Sequence, residues 1–306
     1  MSIDSFDPVT RQGLAITTLF GFELVVSALL FALVLGWLVL ALLRFRARPG
    51  DAVEPAQVHG NRRLEVIWTA TPTAVLAVVF FFVIQTMRTV DAAEPGTLHL
   101  RVIGHQWWWE YRYPDQGVVT ANELHVPVGV PLSVDLESID VIHSFWVPHF
   151  GWMRDAVPGK TNHISVLVDR AGDYAGACTQ YCGLEHAWMR IRIVAEPRDA
   201  FDTWAQQQAQ PTMPGGSRGQ QVFLEQTCVS CHAIRGLPAP AEVGPDLTHL
   251  GSRQTLGAGV IDNTPANLRR WIRDAQSIKP GVLMPAFQSL RQDDLDALVE
   301  YLESLR

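Results

Sequence analysis

Cysteine is scarce in this chain of 306 residues, which has only four. They form two close pairs, Cys178 with Cys182 and Cys228 with Cys231, so no thiol is left over for a structural disulfide. The chain also lacks an excess of positive charge, since its formal net charge is −7. Nucleic-acid binding is therefore not expected, and both cysteine pairs are typical of cofactor ligands.

Charge is absent from two long apolar runs near the N-terminus. Leu24 to Leu43 is a run of twenty uncharged residues, and Val66 to Met87 is a second uncharged run. A helix of that length crosses about 30 Å of hydrocarbon. A signal peptide would explain the first run less well, because the run is too long and follows an acidic segment. The sequence therefore predicts a transmembrane hairpin over residues 1–92, with helices at about 20–44 and 66–87.

The segment between the two runs is rich in arginine. Its five arginines are Arg44, Arg46, Arg48, Arg62 and Arg63. By the positive-inside rule this segment faces the cytoplasm. We therefore expect a multi-pass protein of the bacterial inner (plasma) membrane, whose N-terminus and whole C-terminal part lie on the periplasmic side.

Alternating apolar residues follow the hairpin. They recur at every second position in 98–102, 132–136 and 164–168. This period predicts short strands with one buried face, as in a β-sandwich or barrel. Trp107 to Trp109 stand together here, and two interpretations remain open. Either alternate rings are buried and the middle ring lies at the surface, or one ring is exposed over a redox centre.

The stretch A-C-T-Q-Y-C-G-L-E-H-A-W-M, which we call the cysteine loop (residues 177–189), combines two thiols, an imidazole and a thioether. These soft ligands favour copper over calcium or magnesium. Two thiolates on one loop can bridge a pair of metals, each of which then needs an imidazole. His186 is one candidate, and His143 in D-V-I-H-S-F-W-V-P is the other. A disulfide within the loop would leave His186 and Met189 unexplained, and methionine is a poor zinc ligand.

A second cofactor motif, C-V-S-C-H, spans residues 228–232. C-x-x-C-H is the signature of covalently attached c-type haem. A thioredoxin-like pair and half a zinc ribbon are disfavoured by the adjoining histidine and by the lack of another C-x-x-C. Met284 in L-M-P-A-F is the expected sixth iron ligand, with Met213 as its competitor. We expect His249 to be a surface or pocket residue and not a ligand.

Several motifs occur in the order found in subunit II of haem–copper cytochrome c oxidases, which the chain resembles. They are L-E-V-I-W-T-A-T-P (64–72), G-H-Q-W-W-W-E-Y (104–111), D-V-I-H-S-F-W-V-P (140–148), D-A-V-P-G-K (155–160) and the cysteine loop. The resemblance implies a cupredoxin-like Greek-key β-barrel at 93–197. After a linker at 198–216, the segment 217–306 resembles a small all-α class I cytochrome c.

The resemblance also implies which residues hold the cofactors. For a dinuclear copper A centre they are His143, Cys178, the backbone carbonyl of Gln180, Cys182, His186 and Met189. For haem c they are Cys228, Cys231, His232 and Met284. Trp107 matches the electron-entry tryptophan of the family, and Glu65 matches a glutamate near the entry of a proton pathway in subunit I.

The chain departs from the family at residue 180, where a glutamate usually helps to bind a magnesium shared with subunit I. Gln180 keeps the carbonyl but lacks the charge that magnesium prefers. Met153 also stands where a basic residue is common. We therefore expect the shared magnesium to be bound weakly or not at all through residue 180.

The function implied by the resemblance is electron transfer within a proton-translocating cytochrome c oxidase. Electrons would pass from a donor through haem c and copper A to haem a of subunit I, where oxygen is reduced to water. The expected partners are subunits I and III, the lipid membrane, and a cytochrome c or a quinol-oxidising complex as donor. A membrane-tethered copper chaperone would have a single anchor and no haem motif, and a quinol oxidase subunit would bind no copper.

Overall fold

The structure, a computed structural model, describes residues 4–46, 57, 60–91, 98–212, 215–238 and 241–306. The chain divides into two units. One comprises Leu14–Asp91, and the other comprises Met1–Gly13 together with Ala92–Arg306.

Two long helices, α1 (Arg11–Arg44) and α2 (Arg62–Val90), are present among the described residues of the N-terminal part. Helix α1 begins before the predicted 20–44 and ends at the predicted residue, and α2 extends beyond the predicted 66–87 at both ends. At the start of α2 the Asn61 side chain accepts hydrogen bonds from two free backbone N–H groups of the first turn. Arg48 of the arginine-rich segment lies outside the described residues.

The two helices are long and apolar enough to cross a membrane. Their large apolar side chains face outward within this unit. Examples with well over half of their surface exposed are Leu29, Phe31, Trp37, Leu76 and Phe80. Such apolar surface is expected of a helix in contact with lipid.

The β domain (residues 98–212) contains ten strands, and every residue of this range is described. They are β1 Leu98–His105, β2 Trp108–Tyr113, β3 Val118–Ala121, β4 Glu123–Pro127, β5 Pro131–Ser138, β6 His143–Val147, β7 Trp152–Ala156, β8 Asn162–Leu167, β9 Gly172–Cys178 and β10 Arg190–Glu196. The strands form two five-stranded sheets with the orders β3-β2-β1-β5-β8 and β4-β10-β9-β6-β7. The pairs β1–β5 and β4–β10 are parallel, and the other pairs are antiparallel.

The core of the β domain is built from the alternating residues that the sequence analysis identified. Leu100, Val102, Leu132, Val134 and Val166 are all buried. Helix α3 (Arg198–Ala209) closes one side of this core with Phe201 and Ala205. This helix occupies most of the segment predicted to be a linker, because its apolar residues recur at helical spacing and pack on the sheet.

The C-terminal domain (residues 215–306) is mainly helical in its described part. Its helices are α4 Arg218–Glu225, α5 Pro265–Arg273 and α6 Gln292–Ser304, and it has a small hairpin of β11 Thr255–Leu256 and β12 Ile261–Asp262. Helices α4 and α6 pack closely at Gly219, and Phe223 and Tyr301 are buried in the same core. The predicted fold class, a helical hairpin with a cupredoxin-like β domain and an α-helical cytochrome c domain, is confirmed.

The β domain and the C-terminal domain belong to one unit and are in direct contact. The carboxylate of Glu123, 3% exposed, accepts hydrogen bonds from the backbone N–H groups of Gln254 (3.0 Å) and Thr255 (2.8 Å). It also accepts one from the Thr255 hydroxyl at 2.8 Å. Beside it, Trp108 and Ala121 form a small apolar cluster with Ala258 of the C-terminal domain.

Candidate metal and haem centres

The cysteine loop connects β9 to β10, and its two ends are hydrogen-bonded to each other. The backbone N–H of Cys178, the last residue of β9, donates to the carbonyl of Met189 at 2.9 Å. Between them Gly183 has a φ of 117°, a conformation that other residues rarely adopt. A Cβ at Gly183 would also lie 3.0 Å from the Trp107 ring. The loop therefore folds back on itself and brings Cys182 next to Cys178.

Sulfur and nitrogen atoms converge inside this loop. The two cysteine sulfurs lie 3.8 Å apart, and the Sγ of Cys182 is 3.6 Å from Nδ1 of His186 and 3.9 Å from Sδ of Met189. The Sγ of Cys178 is 3.9 Å from Nδ1 of His143 and 3.2 Å from the carbonyl oxygen of Gln180. The structure thus brings together all six residues that the family resemblance implies as copper ligands.

His143 reaches the cysteine loop from the start of the neighbouring strand β6, and its side chain is fully buried. Its Nε2 is 2.8 Å from a carboxylate oxygen of Asp140. This contact requires Nε2–H as the donor. Nδ1, which faces Cys178, is therefore free to bind a metal. Burial alone would lower the pKa of His143, but its hydrogen bonds with Asp140 and Cys178 raise the pKa above the usual value.

The two thiols share a proton when no cation lies between them. The hydrogen bond between the sulfurs lowers the pKa of Cys178 to about 4 and raises the pKa of Cys182. Two negative charges this close are costly in a buried site, so the pair titrates as a unit. A copper pair would take the place of that proton and allow both sulfurs to be thiolates. The donor set, its burial and the orientation of His143 therefore fit such a centre.

The three tryptophans do not follow either sequence interpretation, because all three rings are buried. Trp109 lies in the core of the β domain. Trp108, the middle ring, stacks on His105 with the ring centroids 3.9 Å apart and is covered by the C-terminal domain. Trp107 is 9% exposed, and its Nε1–H donates to the carbonyl of Cys182 at 2.9 Å. The ring predicted for electron entry is thus bonded directly to the cysteine loop.

Two other predicted residues are more exposed. The side chain of Gln180 lies at the surface of the cysteine loop, where a partner could reach it. Glu65 lies in the first turn of α2, exposed, in the unit that comprises Leu14–Asp91. Its predicted role near a proton pathway remains a prediction.

The haem motif lies just after α4. Cys228 and Cys231 are free thiols, one within the short 3-10 turn Thr227–Ser230 and one directly after it, and the backbone N–H of His232 donates to the carbonyl of Cys228 at 2.9 Å. Nδ1 of His232 is 2.7 Å from the carbonyl oxygen of Pro245. That contact requires Nδ1–H as the donor, so Nε2 carries the free lone pair. Burial lowers the pKa of His232, which favours the neutral imidazole that iron requires.

The surroundings of the haem motif fit a flat apolar group. A Cβ at Gly244, the first residue of G-P-D-L, would lie 2.7 Å from the His232 ring, so this backbone approaches the imidazole closely. Partly buried apolar side chains pack around the domain core near Cys228. They are Val229, Leu237, Leu247, Phe287 and Leu290. A porphyrin would cover such side chains.

Of the candidates for the sixth iron ligand, Met284 is partly buried and follows the exposed Leu283. The competitor, Met213, lies outside the described residues. His249 is buried, not at the surface, and its Nε2 is 3.0 Å from the carbonyl oxygen of Gln210. Because its Nε2 is engaged in that contact, His249 is a poorer candidate for the iron ligand than Met284.

Three residues that position these sites were not identified from the sequence. Asp140, which orients His143, stands three positions before it, so a search for acidic neighbours of candidate ligands would have found it. Glu123 and Lys279 connect the β domain to the C-terminal domain. Glu123 is 131 positions from Gln254 and Lys279 is 172 positions from Trp107, and no local pattern signals such contacts.

Comparisons with known proteins cover all three parts of the chain. The family described as cytochrome c oxidase subunit II, transmembrane domain, matches residues 7–86, and the one described as its periplasmic domain matches residues 117–196. The cytochrome c family matches residues 216–306.

Two similar whole proteins are both named cytochrome c oxidase subunit 2. Cytochrome c oxidase subunit 2 of Alkalihalophilus pseudofirmus is 35% identical over 315 residues, which cover 100% of this chain and 91% of that protein. The Bacillus subtilis protein of that name is 32% identical over 289 residues, covering 87% and 81%. The crystal structure of the periplasmic domain of subunit II of cytochrome oxidase from Bradyrhizobium japonicum is 30% identical. The match covers 38% of this chain and 96% of the Bradyrhizobium japonicum domain, with a TM-score of 0.37.

Proposed function

Since the chain belongs to the cytochrome c oxidase subunit II family, we propose that it carries electrons from a donor to haem a of subunit I. The proposed route enters at haem c and continues through the dinuclear copper A centre, and oxygen is reduced to water in subunit I. The chain is then the electron-entry subunit of an oxidoreductase complex. The observation that carries this proposal is that the copper-type cluster and the haem motif occur in one unit, whose two domains are in direct contact.

Each copper-site residue has a distinct proposed role. Cys178 and Cys182 would hold the copper pair through their thiolates, with His143 and His186 supplying one imidazole each. Met189, fully buried, would be a weak ligand, and the backbone carbonyl of Gln180 would be the remaining donor. When bound, the copper pair takes up and releases one electron at a time. A ligand set held by two strands and a closed loop stays in place during this change, which favours fast electron transfer.

The haem c is proposed to be held by thioether bonds to Cys228 and Cys231, with His232 and Met284 as axial ligands. A methionine ligand raises the haem potential into the range of electron carriers. Trp107 is proposed to be the entry point to the copper site, since its ring nitrogen is bonded to the loop between the ligands.

The proposed order of electron flow can be tested directly. The purified oxidase is mixed rapidly, without oxygen, with a reduced soluble c-type cytochrome, and absorbance is followed at the haem c, copper A and haem a bands. Haem c should be reduced first, copper A second and haem a last. If copper A and haem a become reduced while haem c is still oxidised, the proposed route is wrong.

The axial role of Met284 predicts the behaviour of Met284→Ala. The haem should stay attached through its two thioether bonds, but its potential should fall and its sixth position should open. Carbon monoxide should then bind to the reduced variant and not to the wild-type protein. Met213→Ala is the matched control and should behave as the wild type. If Met284→Ala leaves the spectrum unchanged and Met213→Ala opens the haem, the assignment must be reversed.

The partners follow from the family. Subunit I is a partner because the chain is subunit II of a haem–copper oxidase. We further propose subunit III as a neighbour and a cytochrome c or a quinol-oxidising complex as the donor. A shared magnesium is expected to bind weakly, if at all, because Gln180 offers a neutral amide instead of a carboxylate.

The chain is anchored to a membrane by its two apolar helices and carries an external domain. We propose the bacterial plasma membrane, with the N-terminus and the β domain on the periplasmic side. The N-terminal segment supports this, because the backbone N–H of Val9 donates to the carbonyl of His149 and the Thr10 hydroxyl donates to that of Phe150, both at 2.8 Å. A copper chaperone would have a single membrane anchor and no haem motif. This chain has two apolar helices and the haem motif C-V-S-C-H, so the chaperone alternative is disfavoured.

A further inference from the structure

A buried lysine joins the C-terminal domain to the cysteine loop. Lys279 is only 2% exposed. Its ammonium donates hydrogen bonds to the carbonyl oxygens of Trp107 at 2.9 Å, Gly257 at 3.2 Å and Trp188 at 3.3 Å. Two of these acceptors belong to the β domain and one to the C-terminal domain, so a single charge connects the two.

The places that Lys279 connects are close to both cofactor sites along the chain. Lys279 stands five residues before Met284 in the loop that carries the proposed axial ligand. Trp188 stands one residue before Met189, and Trp107 is bonded to the carbonyl of Cys182. The loop that carries Met284 is therefore hydrogen-bonded to the β domain at two points close to the proposed copper ligands Cys182 and Met189.

The chemistry of lysine suits this place. An ammonium offers three donors and no acceptor, and here each donor has a carbonyl partner. The hydrogen bonds to Trp107 and Trp188 form only when the domains are docked, and without them a buried charge would lose two of its three partners, which is strongly destabilising. Burial lowers the pKa of Lys279 to about 8, while the buried Glu185 carboxylate acts in the opposite direction. Only two of the 24 basic residues of the chain are lysines, and the exposed Lys160 is the other.

Other contacts hold the same face. The Arg190 guanidinium donates to the carbonyl of Gly259 at 3.2 Å, and Glu123 accepts from Gln254 and Thr255 as described above. A Cβ at Gly281, two residues after Lys279, would lie 3.4 Å from the Glu185 carboxylate and from Leu184 of the cysteine loop. The segment around Lys279 is therefore packed against the cysteine loop, and Lys279 and Glu123 are two buried charged groups of this interface.

We propose that Lys279 is a positioning residue for electron transfer, which docks the loop carrying Met284 against Trp107 and the cysteine loop. The docked arrangement, and not a tethered domain moving freely, is then the state from which electrons pass between the two sites. This inference rests on the proposed function, because it assigns to Lys279 the alignment of the haem and copper sites.

The test compares Lys279→Met, Lys279→Gln and wild type in the whole oxidase. Haem c is reduced by a light pulse with a photoactivated ruthenium reductant, and electron arrival at the copper site is followed in the near infrared. Methionine matches lysine in length but has no donor, so we expect transfer to slow by about tenfold or more, equivalent to about 1.4 kcal/mol of lost docking. Glutamine retains two donors and should give an intermediate rate. The haem potential and the copper EPR spectrum should not change.

Hydrogen exchange gives an independent readout of docking. The backbone N–H groups of Gln254 and Thr255 donate to Glu123 across the interface, so they should exchange about tenfold faster in Lys279→Met. Amides inside either domain, such as those of Val102 and Leu298, should exchange at the wild-type rate. Arg270→Met is the matched control, since Arg270 is exposed on α5 and contacts Asn267 on its own helix.

The outcomes separate this proposal from the proposed function. Wild-type transfer and wild-type exchange in both Lys279 variants would overturn the role of Lys279 and leave the electron route intact. Absence of any haem-to-copper transfer in the wild type would overturn the route itself. If Lys279→Met fails to accumulate, Lys279→Gln decides, and an unchanged rate in that variant overturns the proposal.

Discussion

The substitution Cys182→Ser is expected to abolish the EPR signal of a mixed-valence copper pair. The Cys182 sulfur lies at the middle of the site, within 4 Å of Cys178, His186 and Met189 ligand atoms. A hydroxyl is a hard ligand with a much higher pKa than a thiol and does not bridge two coppers as a thiolate does. The contacts of Trp107 and Gln106 with residue 182 use its backbone carbonyl, so the loop should keep its fold.

Activity should fall with the copper signal. In the Cys182→Ser oxidase, haem c should still be reduced by the donor, while reduction of haem a and oxygen consumption are lost. EPR, metal analysis and rapid-mixing absorbance together measure this. A variant that retains the dinuclear signal would show that Cys182 does not bridge.

Met189→Leu is the matched control for this experiment. Met189 is fully buried, and leucine has nearly the same volume, so the cost in stability should stay below about 1.5 kcal/mol. A weak axial ligand tunes a site more than it holds the metal. Copper should therefore remain bound, with a shifted potential or with its valence trapped on one ion. An empty site in Met189→Leu, equal to that in Cys182→Ser, would contradict this division of roles.

Gly219→Ala is expected to unfold the C-terminal domain at markedly lower temperature. A Cβ at Gly219 would lie 2.0 Å from the backbone oxygen of Ala297 and 2.5 Å from Cβ of Tyr301, both on α6. Alanine improves helix propensity in α4 by about 1 kcal/mol. A backbone atom cannot move aside as a side chain can, so overpacking should outweigh that gain, with a net loss of about 2 kcal/mol or more.

The measurement is calorimetry of the full chain, combined with staining for covalently attached haem. A net loss of about 2 kcal/mol lowers the melting temperature of a domain of this size by about 8 °C or more. Gly215→Ala is the matched control, because a Cβ there meets no atom within 4 Å. Equal melting temperatures for the two variants would show that the helices can separate without cost.

The candidate sites could be predicted largely because their ligands are close together in sequence. Five of the six copper-site residues lie within the cysteine loop, and the haem motif occupies five consecutive positions. Soft ligand chemistry then restricts the metal. His143 is 35 positions from Cys178, and it is a candidate from sequence because a second metal needs its own imidazole and because its motif resembles that of the family.

The elements that escaped prediction depend on contacts between distant segments. The segment 198–216 was predicted to be a linker, but the helical spacing of Phe201 and Ala205 lets α3 pack on the β domain. Lys279 and Trp107 are 172 positions apart, and neither has a local pattern that predicts their contact. Burial of Trp108 involves Ala258 of the C-terminal domain, and a strand pattern carries no information about that contact.

The buried carboxylate of Glu123 has a practical consequence for dividing this protein into fragments. Its oxygen atoms accept hydrogen bonds from the turn at Gln254 and Thr255, and Trp108 beside it is covered by Ala258. A fragment that stopped after α3 would expose the indole ring of Trp108 and the carboxylate of Glu123 to water. Its surface would then be more prone to self-association than that of the intact protein. A soluble form intended for spectroscopy or crystallisation should therefore run from Leu98 through Arg306 as a single piece.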